Sequence, residues 1–276
     1  MSGDLTSDFR NLMAGKIELP VSIEELREKY LNSAPFSHVV IDNMFLEADL
    51  EALQVEMLDL HSEQWLDLDQ DSRERTARMR SAAEMGVAGD RLLSIVHSAA
   101  FLYLLSEITA ISQLLPDPYL QGAGYALMRP GDFFNVHADR NVAYETGLVR
   151  RLAMIVYLNK AWKPEYHGEL ELWTPDGKTC AVTVQPLFNK TIIFEVAYPN
   201  FHGVPTPLAC PPGRMRQSFI TYYHTVGIPD QRPFKPHTSR FAPRFYGSNR
   251  VTLQSLVRDI TPPFLSRIIR RLRRFE

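Results

Sequence analysis

The chain holds only two cysteines in 276 residues, Cys180 and Cys210, too few for the disulfide framework of a small secreted domain. Both are expected to be free, buried thiols. No apolar run is long enough to cross a bilayer as a helix, and no apolar signal region opens the sequence. The cytoplasm is therefore the expected compartment. Net charge is scarce as well: 30 Lys and Arg oppose 32 Asp and Glu, leaving −2 at pH 7. Such a balance offers no global attraction to nucleic acid, and none is expected as a partner. What remains is globular material, 45% hydrophobic, enough to build a substantial core.

Three regions follow from the pattern along the chain: 1–120, 121–226 and 227–276. The first reads mainly as helices. Ser22-Ile23-Glu24-Glu25 has the spacing of a capping box and leads into Leu26 and Tyr30. Residues 36–46 predict a strand and a turn into a second helix, from about Glu47 to Leu60. A third helix is predicted from Asp90 to Leu115, with Leu93, Val96, Phe101, Leu104 and Leu105 as its apolar stripe and Pro116 and Pro118 as its stop. From Gln121 onward, short β-rich runs alternate with Gly, Pro and Asn signals, as in a double-sheet jelly roll. The expected fold is α+β: a double-stranded β-helix (jelly roll) core, N-terminal helices packed on one sheet, and a C-terminal extension.

Chemistry concentrates in His137-Ala138-Asp139 and, far downstream, His202 within Phe201-His202-Gly203. On a strand, residues i and i+2 face the same side, so His137 and Asp139 can approach one metal together. Two imidazoles and a carboxylate cover one face of an octahedral iron(II) and leave the other open. His202 is expected on the turn after Thr191–Glu195. An isolated His-x-Asp is a common pair, so the features in order around it carry the weight: Pro130-Gly131-Asp132-Phe133-Phe134 before it, Arg151 to Asn159 after it, Gly168 to Trp173, and Arg216-Gln217-Ser218-Phe219 beyond His202.

In that combination the chain resembles the iron(II)/2-oxoglutarate-dependent oxygenase superfamily, above all its prolyl 4-hydroxylase-like branch, over about residues 120–226. The resemblance implies iron held by His137, Asp139 and His202. It implies 2-oxoglutarate held through its distal carboxylate by Arg216, with Ser218 completing an Arg-x-Ser pair and Tyr157 beside the same carboxylate. One departure stands out: a tyrosine often found nine residues before the first ligand is Met128 here. The residues agree with the role, since a guanidinium fork matches a carboxylate better than a lysine does. Arg214 is the nearby competitor for this task.

The implied reaction consumes O2 and 2-oxoglutarate, releases succinate and CO2 and hydroxylates an unactivated C–H bond, with ascorbate in a supporting part. A carboxylate at Asp139 speaks against halogenation, because related halogenases carry a small residue there. A nucleic-acid dealkylating oxygenase would need a second arginine farther from Arg216 than Arg214 lies. The alternative reading is a cupin-like or non-catalytic metal-binding jelly-roll protein, which leaves Arg216 unexplained. Asn135, Arg140, Arg151, Trp162 and Trp173 lie near the motifs as candidate contacts for a small-molecule or peptidyl substrate, and the loop 140–150 is expected to line the entrance. From Asn249 to Glu276 seven arginines face two acidic residues. Residues 264–275 fit a basic amphipathic helix, docked on the domain or contacting a membrane surface or acidic partner. The sequence leaves the oligomeric state open.

Overall fold

The computed structural model describes residues 13–69, 73–79, 81–144, 146–227 and 234–242. Among the described residues four α-helices precede most of the sheet. The first, α1 (Ile23–Leu31), begins where the sequence predicts: the Ser22 hydroxyl accepts the Glu25 N–H at 3.1 Å. It buries Ile23, Leu26 and Tyr30, one apolar stripe at helical spacing. After β1 (His38–Asp42), α2 (Glu47–Asp59) buries Leu50, Leu53 and Met57.

The single helix predicted over 90–115 is two, α3 (Val87–Val96) and α4 (Ala99–Thr109), bent by 52°. Ser98 makes the break. Its hydroxyl donates to the Ile95 carbonyl at 2.7 Å and accepts the Phe101 N–H at 3.2 Å, ending one helix and capping the next. The second ends at Ala110, in the left-handed region (φ 58°), well before Pro116. No single described helix is long and apolar enough to cross a membrane, and the bent pair passes that test only jointly. Its apolar residues Leu92, Val96, Phe101, Leu105 and Ile108 are buried in the core.

The strands are β2 (Trp65–Asp69), β3 (Glu74–Met79), β4 (Leu115–Pro116), β5 (Gly124–Met128), β6 (Phe133–Ala138), β7 (Val149–Tyr157), β8 (Leu170–Trp173), β9 (Cys180–Val184), β10 (Lys190–Glu195), β11 (His202–Val204), β12 (Arg216–Thr225) and β13 (Arg240–Phe241). Their ladders are antiparallel and follow the order β1-β10-β7-β12-β5-β3-β6-β11-β8-β9, with β2 on β3, β4 on β12 and β13 on β6. The strand β3 joins the two halves: Ala77 and Arg78 pair with β5, Glu74 and Arg75 with β6. This curled antiparallel sheet with four helices has the architecture of the double-stranded β-helix. The N-terminal region thus supplies strands as well as helices, and β2 and β3 are additions to the predicted pattern.

Both faces of β12 are buried along its whole length. Its odd-numbered residues meet the helices: the Tyr223 hydroxyl donates to the Val96 carbonyl at 3.1 Å, and the Tyr223 ring stacks on Phe101. The even-numbered ones, Arg216, Ser218, Ile220 and Tyr222, face the hollow of the sheet together with Tyr157, Ile155 and Ala153, their partners on β7. That alternation divides the strand between core and site.

Candidate active site

His137 is the penultimate residue of β6 and His202 begins β11, and the two are direct cross-strand partners. The second histidine therefore stands on a strand, not on the turn expected from its surroundings. Asp139 follows β6 immediately. Its carboxylate oxygens lie 3.3 Å from His137 Nε2 and 3.7 Å from His202 Nε2, and one donor atom from each residue falls within 4.8 Å of the others. That spacing fits three ligands of one ion.

The backbone aims both rings. His137 Nδ1 lies 2.8 Å from the Asn135 carbonyl, and His202 Nδ1 lies 3.3 Å from the Asn200 carbonyl. In each case the acceptor sits two residues upstream. A carbonyl can only accept, so the proton rests on Nδ1 and the Nε2 lone pair turns to the cluster. Phe134 stacks on His137 with ring centroids 3.9 Å apart, and Phe194 packs 4.7 Å from His202. Gly203 allows the strands to come this close: a Cβ there would stand 2.8 Å from the Phe134 carbonyl oxygen and 2.9 Å from Val136 N and Cα.

Protonation states suit metal binding. Burial, reinforced by neighbouring His137, lowers the His202 pKa to about 4, so the ring is neutral at pH 7. Burial raises the Asp139 carboxyl, but the neighbouring His137 and His202 and the charge of Arg150 outweigh it and hold the group well below the usual carboxylate range. The result is an ionised carboxylate facing the neutral imidazole of His202.

Arg216, Ser218 and Tyr157 form a second group. Tyr157 and Ser218 are cross-strand partners, and the Arg216 guanidinium carbon lies 5.0 Å from the Tyr157 ring centroid. Arg216 Nε donates to the Gly168 carbonyl at 2.7 Å. Gly168 sits at φ +89°, a conformation that favours glycine, and a Cβ there would stand a tight 3.1 Å from Arg216 Cδ. Burial lowers the pKa of Arg216, opposed by Tyr157, yet a guanidinium stays charged. Among the described residues no carboxylate reaches ion-pair distance of it, and the Tyr157 and Ser218 hydroxyls are buried without hydrogen-bond partners. A buried cation flanked by two orphaned hydroxyls fits the carboxylate of a bound molecule. Arg214, the competing arginine, instead reaches the Ala161 carbonyl at 2.9 Å and is half-buried over the rings of Trp162 and Tyr166.

The candidate substrate contacts fare unevenly. Trp173 lies on the far side of the sheet, packed with Val136, Ala138, Phe201 and Ala242, and its indole donates to Glu171. Asn135 serves through its backbone. Trp162 stands beside the Arg216 stem across Gly168. The sequence reading passed over Arg150. A bulge in β7, between the pairs Tyr223–Leu152 and His224–Arg150, sets Arg150 opposite His224. Its guanidinium carbon stacks 3.5 Å from the Tyr222 ring centroid. The adjacent loop is tied down: the Asn141 side chain donates to the Lys235 carbonyl at 3.0 Å and accepts the His237 N–H at 2.8 Å.

The family model of the 2OG-Fe(II) oxygenase superfamily matches residues 121–224. Prolyl 3-hydroxylase OGFOD1 of Mus musculus is 29% identical over 180 residues, which cover 63% of this chain and 30% of that protein. The chain thus spans under a third of this curated relative. Among solved structures, a Pseudomonas putida prolyl-4-hydroxylase aligns with a TM-score of 0.52 at 20% identity, covering 72% of this chain and 98% of that one. A Trichoplax adhaerens prolyl hydroxylase, solved with a hypoxia inducible factor peptide fragment, gives 0.52 at 19%, covering 74% and 90%. At such identities these two likenesses speak for the fold. The segment that matches this family model contains His137, Asp139, Tyr157, His202, Arg216 and Ser218, so the likeness to the 2OG-Fe(II) oxygenase superfamily spans the whole candidate site.

Proposed function

We propose that the chain is an Fe(II)- and 2-oxoglutarate-dependent dioxygenase that hydroxylates an unactivated C–H bond of a small-molecule or peptidyl substrate. The observation that carries this reading is the meeting, in one hollow, of a His-Asp-His donor set with a buried arginine that no carboxylate among the described residues reaches at ion-pair distance. His137, Asp139 and His202 would hold the metal. Arg216 would pair with the distal carboxylate of 2-oxoglutarate, and the Ser218 and Tyr157 hydroxyls would donate to it. When bound, iron, 2-oxoglutarate and O2 supply the oxidising chemistry and give succinate and CO2. The chain's part is to orient these groups and keep water away, with Ile155, Ile192 and Phe194 as apolar wall. Ascorbate would act only in support.

The names of the mouse and Trichoplax relatives favour the peptidyl arm, because both are called prolyl hydroxylases. The free thiols of Cys180 and Cys210 support a reducing compartment, the cytoplasm.

Anaerobic titration of the protein with Fe(II) and then 2-oxoglutarate tests the cofactor assignment through the visible metal-to-ligand charge-transfer band. Wild type should develop the band, and His137→Ala should lose it. Arg216→Ala should need about 100-fold more 2-oxoglutarate, the loss expected for a buried charge-assisted pair. Iron bound without a band would remove 2-oxoglutarate from the reading and leave a cupin-like or non-catalytic metal site.

A further inference from the structure

Apart from Arg216, three arginines converge on the same hollow. Arg78 stands on β3 opposite Ala126, which is opposite Ser218, itself opposite Tyr157. This line of register keeps Arg78 on the cavity face, and its side chain is only 13% exposed. Arg150 is buried, stacked on Tyr222, and donates to the Gln121 carbonyl at 3.0 Å, but its Nε has no partner. Arg140, directly after Asp139, packs its guanidinium 4.5 Å from the Tyr144 ring centroid. Burial raises the Tyr222 phenol first of all, and the charges of Asp139 and of all three arginines lie close enough to bear on it as well.

The opposing charge is insufficient. Asp139 belongs to the metal cluster. Glu74 accepts the Thr76 hydroxyl at 2.6 Å and lies 3.9 Å from Arg78, a loose pair. Once 2-oxoglutarate answers Arg216, the one carboxylate that the described residues set beside the three guanidinium groups, apart from Asp139, is Glu74, already engaged by Thr76 and Arg78. Holding three cations near one another with a single loosely paired anion is costly where one of them, Arg150, is buried, and a bound carboxylate lowers that cost.

We infer that the hollow contains a second anion site, built by Arg78, Arg140 and Arg150 around Tyr222, which selects a substrate carrying a carboxylate near the C–H bond to be oxidised. The site rests on the oxygenase reading for its purpose, not for its existence. Arg78 and Arg150 supply forked donors to the carboxylate, with Tyr222 stacked against Arg150. They are specificity residues that act on the substrate and leave the cosubstrate to Arg216.

Formate, the smallest carboxylate, tests the site, with formamide as its neutral match. Thermal midpoints would be measured on the full chain loaded with Mn(II) and saturating 2-oxoglutarate, replacing chloride by formate at constant ionic strength. Formate should raise the wild-type midpoint by about 3 °C while formamide does not. Arg78→Gln should abolish the rise, Arg78→Lys should keep part of it, and Arg150→Gln should abolish it as well. No rise in wild type, an equal rise with formamide, or a rise that survives in Arg78→Gln and Arg150→Gln would overturn the proposal. A rise lost only in Arg216→Ala would place formate at the 2-oxoglutarate end and overturn it too. Separate calorimetry of 2-oxoglutarate binding keeps the two readings apart, since its failure would count against the oxygenase and not against an Arg78-dependent anion site.

Discussion

A single methyl group at Gly203 should damage the metal cluster without touching any of its three donors. The glycine faces the backbone of Phe134 and Val136, which cannot swing aside as a side chain can. Gly203→Ala must part β11 from β6, the ladder that sets His202 against His137. We expect a loss of about 1–3 kcal/mol in stability, the usual cost of overpacking, and a larger fractional loss in Fe(II) affinity. Denaturant midpoints and a metal titration would read the two separately, and unchanged affinity would show that the strand pair tolerates the insertion. At this scale the sequence was informative where neighbours in space are neighbours in the chain. His137 and Asp139 share a strand face by spacing alone. Arg150 was not legible, because its inward position depends on a bulge that exists only once β7 has paired with β12.

Elements carry two further predictions. Ser98 separates α3 from α4 and caps the second, so Ser98→Ala should cost about 1 kcal/mol and lower the thermal midpoint with no change in metal affinity. Glu56, on α2, accepts the backbone N–H groups of Gly86, Ala88 and Gly89 at the start of α3 and the Tyr125 hydroxyl at 2.5 Å. A carboxylate answers those orphan donors and the positive end of the helix together. Glu56→Gln turns one acceptor into a donor facing other donors, and about 2 kcal/mol should be lost. A loss indistinguishable from Ser98→Ala would mean that the charge contributes nothing. The apolar periodicity of the helices and the capping box at Ser22 were readable because they face an ordinary core. The strand β3 was not, since Glu74, Thr76 and Arg78 face the hollow and its inward positions are polar where strand recognition expects apolar ones.

For the whole molecule, the buried histidines set the response to acid. Burial, aided by His137, brings His202 to about 4, and burial, aided by Arg150, brings His224 to about 4, against 6.5 for the ordinary group. Between those values the unfolded chain binds more protons than the native one. Stability of the metal-free protein is therefore full above pH 6.5 and falls as the pH drops toward 4. Urea midpoints across that interval should decline on acidification, more gently in His224→Gln, and a flat profile would contradict the burial of both rings. The predicted basic helix over 264–275 lies outside the described residues. Most of the fold class was visible from the order of helical and strand-rich segments, whereas the closure through β3 required the assembled sheet. The rings of His137 and His202 are both turned by a carbonyl two residues upstream, a group every amino acid possesses. No side-chain substitution can delete those two acceptors. The lining of the hollow is accordingly free to diverge toward new substrates while the aim of the two imidazoles is inherited unchanged, which makes this scaffold tolerant of evolutionary experiment at the one place where catalysts are usually fragile.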